Sequence, residues 1–208
     1  MRTLVIDCAT EACSLALFEG ETLGGAELLA GELRMLGRGH AEALVPMIAA
    51  LPDHGRADRI AVALGPGSFT GVRVGLAAAR ALAFAWDAEL RGYSTLALVA
   101  AMARGGDLAQ PVVVAMSGGH GEWFVGDFAA EAIAPGAIQA LTPLAACLST
   151  TELVSGTMAA ELVAARGFGR ALPLWPDARA LALLGEAGLS DVVSPHYGRA
   201  PDATLPRA

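Results

Sequence analysis

Positive charge is scarce in this chain. Its 14 Lys and Arg face 21 Asp and Glu, for a formal net charge of −7. That balance excludes a broad nucleic-acid footprint made by this chain alone; a role on RNA would need most of its positive surface from elsewhere. Aromatic residues are also few, at 5% of the chain. The 54% hydrophobic content is largely alanine, which favours helices and close packing over a bulky aromatic core. The three cysteines, Cys8, Cys13 and Cys147, give no even framework and no C-x-x-C pair. Cys8 and Cys13 lie in apolar, strand-like surroundings, where a buried inert thiol is the expectation. A reducing cytoplasm fits this usage. Apolar runs are broken by Arg73, Arg80 and Asp87 before the ~18 residues of a membrane helix accumulate. The chain starts directly on Thr3-Leu4-Val5-Ile6 without a charged leader or cleavage site. A cytoplasmic protein with no membrane contact is expected.

Catalytic patterns are missing as well. His40 has Leu44, not a second histidine, one helical turn on, and His54, His120 and His196 are scattered, so no metal site is expected. There is no Gly-x-Ser-x-Gly elbow and no cysteine with a histidine nearby in sequence. Ser117, in Ser117-Gly118-Gly119-His120-Gly121, fits a hairpin turn without chemistry. No cofactor is called for.

What is present is a 208-residue chain with room for one large domain or two small ones. Residues 2–7 and 13–18 read as a hairpin, and 22–30 as a third strand. Leu44, Met47, Ile48 and Leu51 follow helical spacing after His40, with Pro46 weakening that helix. Residues 60–64 read as a strand, 69–86 as a helix and 95–103 as another. Arg104-Gly105-Gly106-Asp107 reads as a boundary, after which the theme restarts: strands at 111–116, 123–128 and 152–154, helices at 142–149, 158–166 and 177–187, and a proline-rich tail after Ser194. The division expected is a first lobe over 1–105 and a smaller second lobe over 106–208, each α/β with a mixed sheet.

Two short motifs could hold an anion. Asp7 and Thr10 lie in the first hairpin turn, where they could face a phosphate or simply cap their own backbone. Gly65-Pro66-Gly67-Ser68 opens the 69–86 helix, where N–H groups could cradle an anion or Ser68 could act as an N-cap. It is not a P-loop, since no Gly-Lys-Ser/Thr follows. The strongest physical signal is the stripe Gly71, Gly75, Ala79, Ala83. Residues four apart share one helix face, and a face this bare admits another element closely. It could pack inside its own domain, or remain exposed for a helix pair of another chain, with Arg73 and Arg80 reaching that partner's carboxylates.

Three segments together resemble one family. Met1 to Leu17, His40 with Leu44-Val45-Pro46-Met47, and Gly65-Pro66-Gly67-Ser68-Phe69-Thr70-Gly71-Val72-Arg73-Val74-Gly75 are similar to TsaB, formerly YeaZ, a tRNA threonylcarbamoyladenosine biosynthesis protein. The resemblance is strong over residues 1–95. It persists in Tyr93-Ser94-Thr95-Leu96, Gly121-Glu122, Gly156-Thr157 and Pro195-His196-Tyr197-Gly198-Arg199.

The resemblance implies the two-lobed fold shared by actin-like ATPases and sugar kinases. It implies a non-catalytic scaffold of the bacterial machinery that makes N6-threonylcarbamoyladenosine in tRNA, and an inactive paralogue of the TsaD transferase, whose metal is held by a histidine pair. The implied partners are a TsaD-like subunit across a four-helix seam, a TsaE-like ATPase, a second copy through much the same surface, and tRNA only indirectly. The seam residues implied are His40, Leu44, Met47, Gly71, Val72, Arg73, Gly75, Ala79, Arg80 and Ala83. The competing expectation is a small nucleotide-binding ATPase or kinase using Asp7, Thr10, Gly65, Gly67 and Ser68. A peptidase would need a metal pair or nucleophile that is not found. One departure from the family pattern weakens nucleotide handling: Ser117-Gly118-Gly119-His120 stands where relatives often have Asp-Ala-Arg. The 129–150 region is also short.

Overall fold

The structure, a computed structural model, describes residues 1–198. Arg199, the end of the last matching segment, lies outside them. The first sheet is laid down by β1 (Arg2–Asp7), β2 (Ala12–Glu19), β3 (Glu27–Met35), β4 (Arg59–Ala63) and β5 (Glu89–Tyr93). Between them run α1 (His40–Ala49) and α2 (Phe69–Trp86), and α3 (Thr95–Arg104) follows. The second sheet comes from β6 (Val112–Gly119), β7 (Glu122–Phe128), β8 (Ile138–Leu141), β9 (Leu153–Ser155) and β10 (Arg170–Leu172), with α4 (Pro143–Ala146) and α5 (Ala159–Arg166). A last short strand, β11 (Leu189–Ser190), returns to the first sheet. The strand orders are β11-β5-β4-β1-β2-β3 and β10-β9-β6-β7-β8.

Both sheets are mixed. β1, β4 and β5 run parallel, while β2 lies antiparallel to β1 and β3 to β2. Parallel strands are covered on both faces and therefore read as unbroken apolar runs; Leu4-Val5-Ile6 and Ile60-Ala61-Val62 are fully buried. β6 is also covered twice. Val112, Val114 and Met116 belong to the large core shared with the first sheet, and Val113 and Ala115 to a smaller one with Trp123, Val154 and Leu162, as the period of two requires.

Several sequence expectations shift. Residues 22–25 do not extend a strand: Leu23–Gly25 is a 3-10 turn and the edge strand runs to Met35. The 142–149 helix shrinks to Pro143–Ala146. The 177–187 helix is a 3-10 segment, Ala178–Leu183, followed by a second at Glu186–Gly188. Gly185, at φ 62, separates them in a conformation that glycine adopts at little cost. β8, β10 and β11 carry too few residues to show a periodicity.

The chain crosses back from the second sheet onto the first. Trp175 Nε1 donates to Glu11 Oε1 at 2.7 Å, and Ala178 N–H to Ser14 Oγ at 2.8 Å. The buried Arg59 guanidinium takes both oxygens of Glu186, at 2.9 and 3.1 Å. At the start of the second sheet, Arg104 donates to the carbonyls of Gln110, Phe128, Ala129 and Ala132. A guanidinium can serve several acceptors at once because its donors form a fixed planar fork.

Candidate functional site

The turn Gly65–Ser68 starts α2 and decides which way that helix faces. Ser68 Oγ accepts the Gly71 N–H at 3.2 Å, an N-cap, while the Ser68 N–H donates to Ala9 O at 2.6 Å. A Cβ at Gly67 would sit 2.0 Å from Ala9 O, and one at Gly71 1.9 Å from Cys8 O. Glycine is required at both because backbone meets backbone there. Further along, a Cβ at Gly75 would lie 3.6–3.7 Å from Cys8, Ile6 and Val62, and Ala79 and Ala83 are buried.

The bare stripe is therefore sealed against β1 and β4 within the chain. This corrects the expectation that it is exposed for a foreign helix. Two parallel strands with apolar, buried centres need a cover, and a side-chain-poor face lets α2 lie directly on them. His40, Leu44, Met47 and Val72 are likewise buried. Of the ten seam residues expected, only Arg73 and Arg80 face solvent. These two serve the chain itself: Arg73 Nε donates to the Tyr197 hydroxyl at 3.1 Å, and Arg80 Nη2 to Val193 O at 2.9 Å. Arg73 also stacks 3.5 Å over the Phe69 ring. The cations held for a partner's carboxylates are fastening residues 193–197.

The opposite face of the two helices is what remains open. On α2 it carries Phe69, Thr70, Ala77, Ala81 and Phe84, and on α1 Ala41, Val45 and Ala49. Phe84 is 92% exposed, Val45 63% and Phe69 55%. Arg73 and Arg80 are the only charges in the eighteen residues of α2. A helix apolar on all sides is normally covered on all sides. Sequence reasoning passed over this face because it followed the glycines. The signal was there: Thr70, Val74, Ala77, Ala81 and Phe84 form a second stripe at helical spacing.

The anion reading meets a closed turn. Asp7 Oδ1 accepts the Ala9 N–H at 2.9 Å and Thr10 Oγ1 the Ala12 N–H at 3.1 Å, so both side chains cap their own turn. Tyr93 Oη donates to Asp7 Oδ2 at 3.1 Å. Burial pushes the Asp7 carboxyl up to about 7, against the lowering effect of the Ala9 and Tyr93 hydrogen bonds. In the Gly65, Gly67, Ser68 turn, the carbonyls of Ala9 and Cys8 fill the space an anion would take. Of the two readings left open for these residues, Asp7, Thr10 and Ser68 show the capping one.

His40 Nε2 lies 3.4 Å from Ala12 O. Among the described residues, no group of three His, Cys, Asp or Glu could hold a metal ion, and no helix is long and apolar enough to cross a membrane.

The family model for TsaD, tRNA N6-adenosine threonylcarbamoyltransferase, matches residues 34–165. The tRNA threonylcarbamoyladenosine biosynthesis protein TsaB of Escherichia coli is 34% identical over 133 residues, which are 62% of this chain and 55% of that protein. The chain belongs to the TsaB/YeaZ family. The TsaB of Haemophilus influenzae is 39% identical over 119 residues, 54% of this chain and 48% of that one. The matches thus span about half the length of the curated TsaB proteins. YeaZ from Pseudomonas aeruginosa superposes with a TM-score of 0.70 at 28% identity, covering 88% of this chain and 90% of that one. A structure described as similar to peptidase YeaZ from Pseudomonas aeruginosa gives 0.73 at 26% identity over 95% and 99%. The two mixed sheets flanked by helices are the fold of these YeaZ structures. In this TsaB/YeaZ chain Ser117 N–H donates to Thr157 Oγ1 at 3.0 Å, which ties the β6–β7 hairpin to the Gly156-Thr157 turn.

Proposed function

We propose that this chain is a non-catalytic scaffold subunit of the machinery that makes N6-threonylcarbamoyladenosine in tRNA, acting in the cytoplasm as an inactive paralogue of the transferase. Its first lobe, residues 1–105, carries the docking helices; the smaller second lobe lies within 106–208. The outer face of α1 and α2 meets the corresponding helix pair of a TsaD-like subunit in a four-helix seam. A second copy can occupy the same face in its absence. A TsaE-like ATPase joins the assembly, and tRNA is reached only through it.

The observation that carries this reading is the uncovered apolar face of Val45, Ala77, Ala81 and Phe84 on helices whose inner face is fully used. Patches of this kind mark interaction sites. Docking would act by stabilising one arrangement of the partner over another, the only way a binder shifts a conformational equilibrium. The alternative, a small ATPase, loses support from the filled turn at Gly65–Ser68.

Gel filtration of the chain mixed with a TsaD-like subunit tests the proposal. Co-migration that Phe84→Arg abolishes is expected; co-migration unchanged in Phe84→Arg, Ala77→Arg and Val45→Arg alike rules out this face. Titration with ATP in a calorimeter should give no binding heat for the isolated chain, and measurable turnover lost in Asp7→Ala would favour the enzyme.

A further inference from the structure

The two cysteines of the first hairpin touch. β1 and β2 are in register from Arg2 opposite Glu19 to Asp7 opposite Ser14, which sets Cys8 opposite Cys13 one step beyond the ladder. Their Sγ atoms are 3.7 Å apart, either able to donate to the other. Both are buried, and neither is in a disulfide. A disulfide needs its sulfurs at about 2.05 Å, so closure asks for a contraction of roughly 1.7 Å within one short turn.

We propose that Cys8 and Cys13 are a modification site: a redox-active pair that a small hydroperoxide oxidises to an intrachain disulfide. Cys13 sulfur, as thiolate, attacks the peroxide oxygen; the O–O bond breaks, and hydroxide (water after protonation) or an alcohol leaves. Cys8 sulfur then attacks the Cys13 sulfenic sulfur, the S–O bond breaks, and its oxygen departs as water with the Cys8 proton. Two thiols lose two electrons and two protons, and the peroxide is reduced by the same two electrons. The hydrogen bond between the two sulfurs holds Cys13 below the ordinary thiol value, while that same bond and burial push Cys8 up; since either sulfur can donate to the other, exchanging their roles gives the same disulfide. Cys13 is in register with Arg34 on β3, the edge strand of its sheet, and is itself fully buried.

The turn that would tighten supports much of the lobe. Cys8 O and Ala9 O seat the start of α2. Glu11 O accepts the Leu36 and Gly37 N–H groups at 2.9 Å each, and Ala12 O faces His40 at the start of α1. Closure would therefore act where both helices begin. The inference stands whether or not the outer face docks a partner.

The test uses the full chain. After hydrogen peroxide treatment, it is denatured, alkylated and digested with trypsin. Thr3–Arg34 holds both cysteines and no internal Lys or Arg, so closure appears in a single peptide. That peptide should be unalkylated and lighter by two hydrogens, reverting to doubly alkylated after dithiothreitol. In Cys147→Ser the same product is expected. Cys8→Ser and Cys13→Ser should each abolish it; should either fail to fold, the parent peptide decides alone. Both cysteines still alkylatable after peroxide, a sulfinic product, or a bond to Cys147 would each overturn the proposal.

Discussion

The Tyr93 hydroxyl donates to the Asp7 carboxylate at 3.1 Å, joining the end of β5 to the end of β1 beneath the start of α2. Asp7 is fully buried, so its protonation bears on the energetics of that corner.

The carboxyl is raised from 3.8 to about 7 by burial. The folded chain then holds a proton that the unfolded chain has released, and stability falls as pH rises from about 4 to about 7. The loss on that account is on the order of 4 kcal/mol at full effect. Asp7→Asn keeps an acceptor for the Ala9 N–H and cannot ionise. Denaturant titrations at pH 5 and pH 8 should show the variant gaining on the parent as pH rises. An equal stability difference at both would overturn this account.

Gly71 and Gly75 look alike in sequence and should behave oppositely. A Cβ at Gly75 meets ordinary contacts at 3.6–3.7 Å, whereas one at Gly71 meets Cys8 O at 1.9 Å. Gly75→Ala should stabilise by up to about 1 kcal/mol through helix propensity. Gly71→Ala should cost about 1–3 kcal/mol, because backbone must move. Thermal melts of the two variants decide it. Gly75→Arg is a poor probe of docking, since its side chain would enter the core.

Arg104 serves four backbone carbonyls from a buried position. Arg104→Met should destabilise by about 3 kcal/mol or more, since several buried acceptors lose their partner together. Arg104→Lys should recover little, because a single ammonium cannot reproduce the planar fork. Urea midpoints of the two variants give the measurement.

Glu186→Gln weakens the ion pair to the buried Arg59 guanidinium, which also donates to Thr3 Oγ1 at 3.2 Å. Glu186 is itself 45% exposed, so water moderates the loss to about 1–2 kcal/mol. Proteolysis should become faster at the returning segment 178–190, whose hold on the first sheet this pair reinforces.

Phe84→Arg changes a side chain that is almost wholly exposed. Folding stability should stay within about 0.5 kcal/mol of the parent, while affinity for the TsaD-like subunit drops at least about tenfold, or 1.4 kcal/mol. A matching loss of stability would show that the residue supports the fold and not a seam.

Local signals were legible in the chain. Unbroken apolar runs marked β1 and β4, and spacing marked α1, α2 and α3. The Gly-Pro-Gly-Ser-Phe-Thr-Gly block carried the family because close backbone approach at Gly67 and Gly71 tolerates no substitute. Short edge strands were not legible, since two to four residues show no period. The 177–187 segment looked helical, yet packs as a 3-10 turn on β2 and β3.

The sequence by itself determined that α2 has a bare stripe, a second apolar stripe and only two charges. It could not say which stripe faces inward, because periodicity gives the angle between faces and not their direction. Tertiary structure decided that: the covered sheet took the glycine face, as that face admits the carbonyl of Cys8 at Gly71. Arg73 and Arg80 turned to the returning chain, and Phe84 was left in solvent.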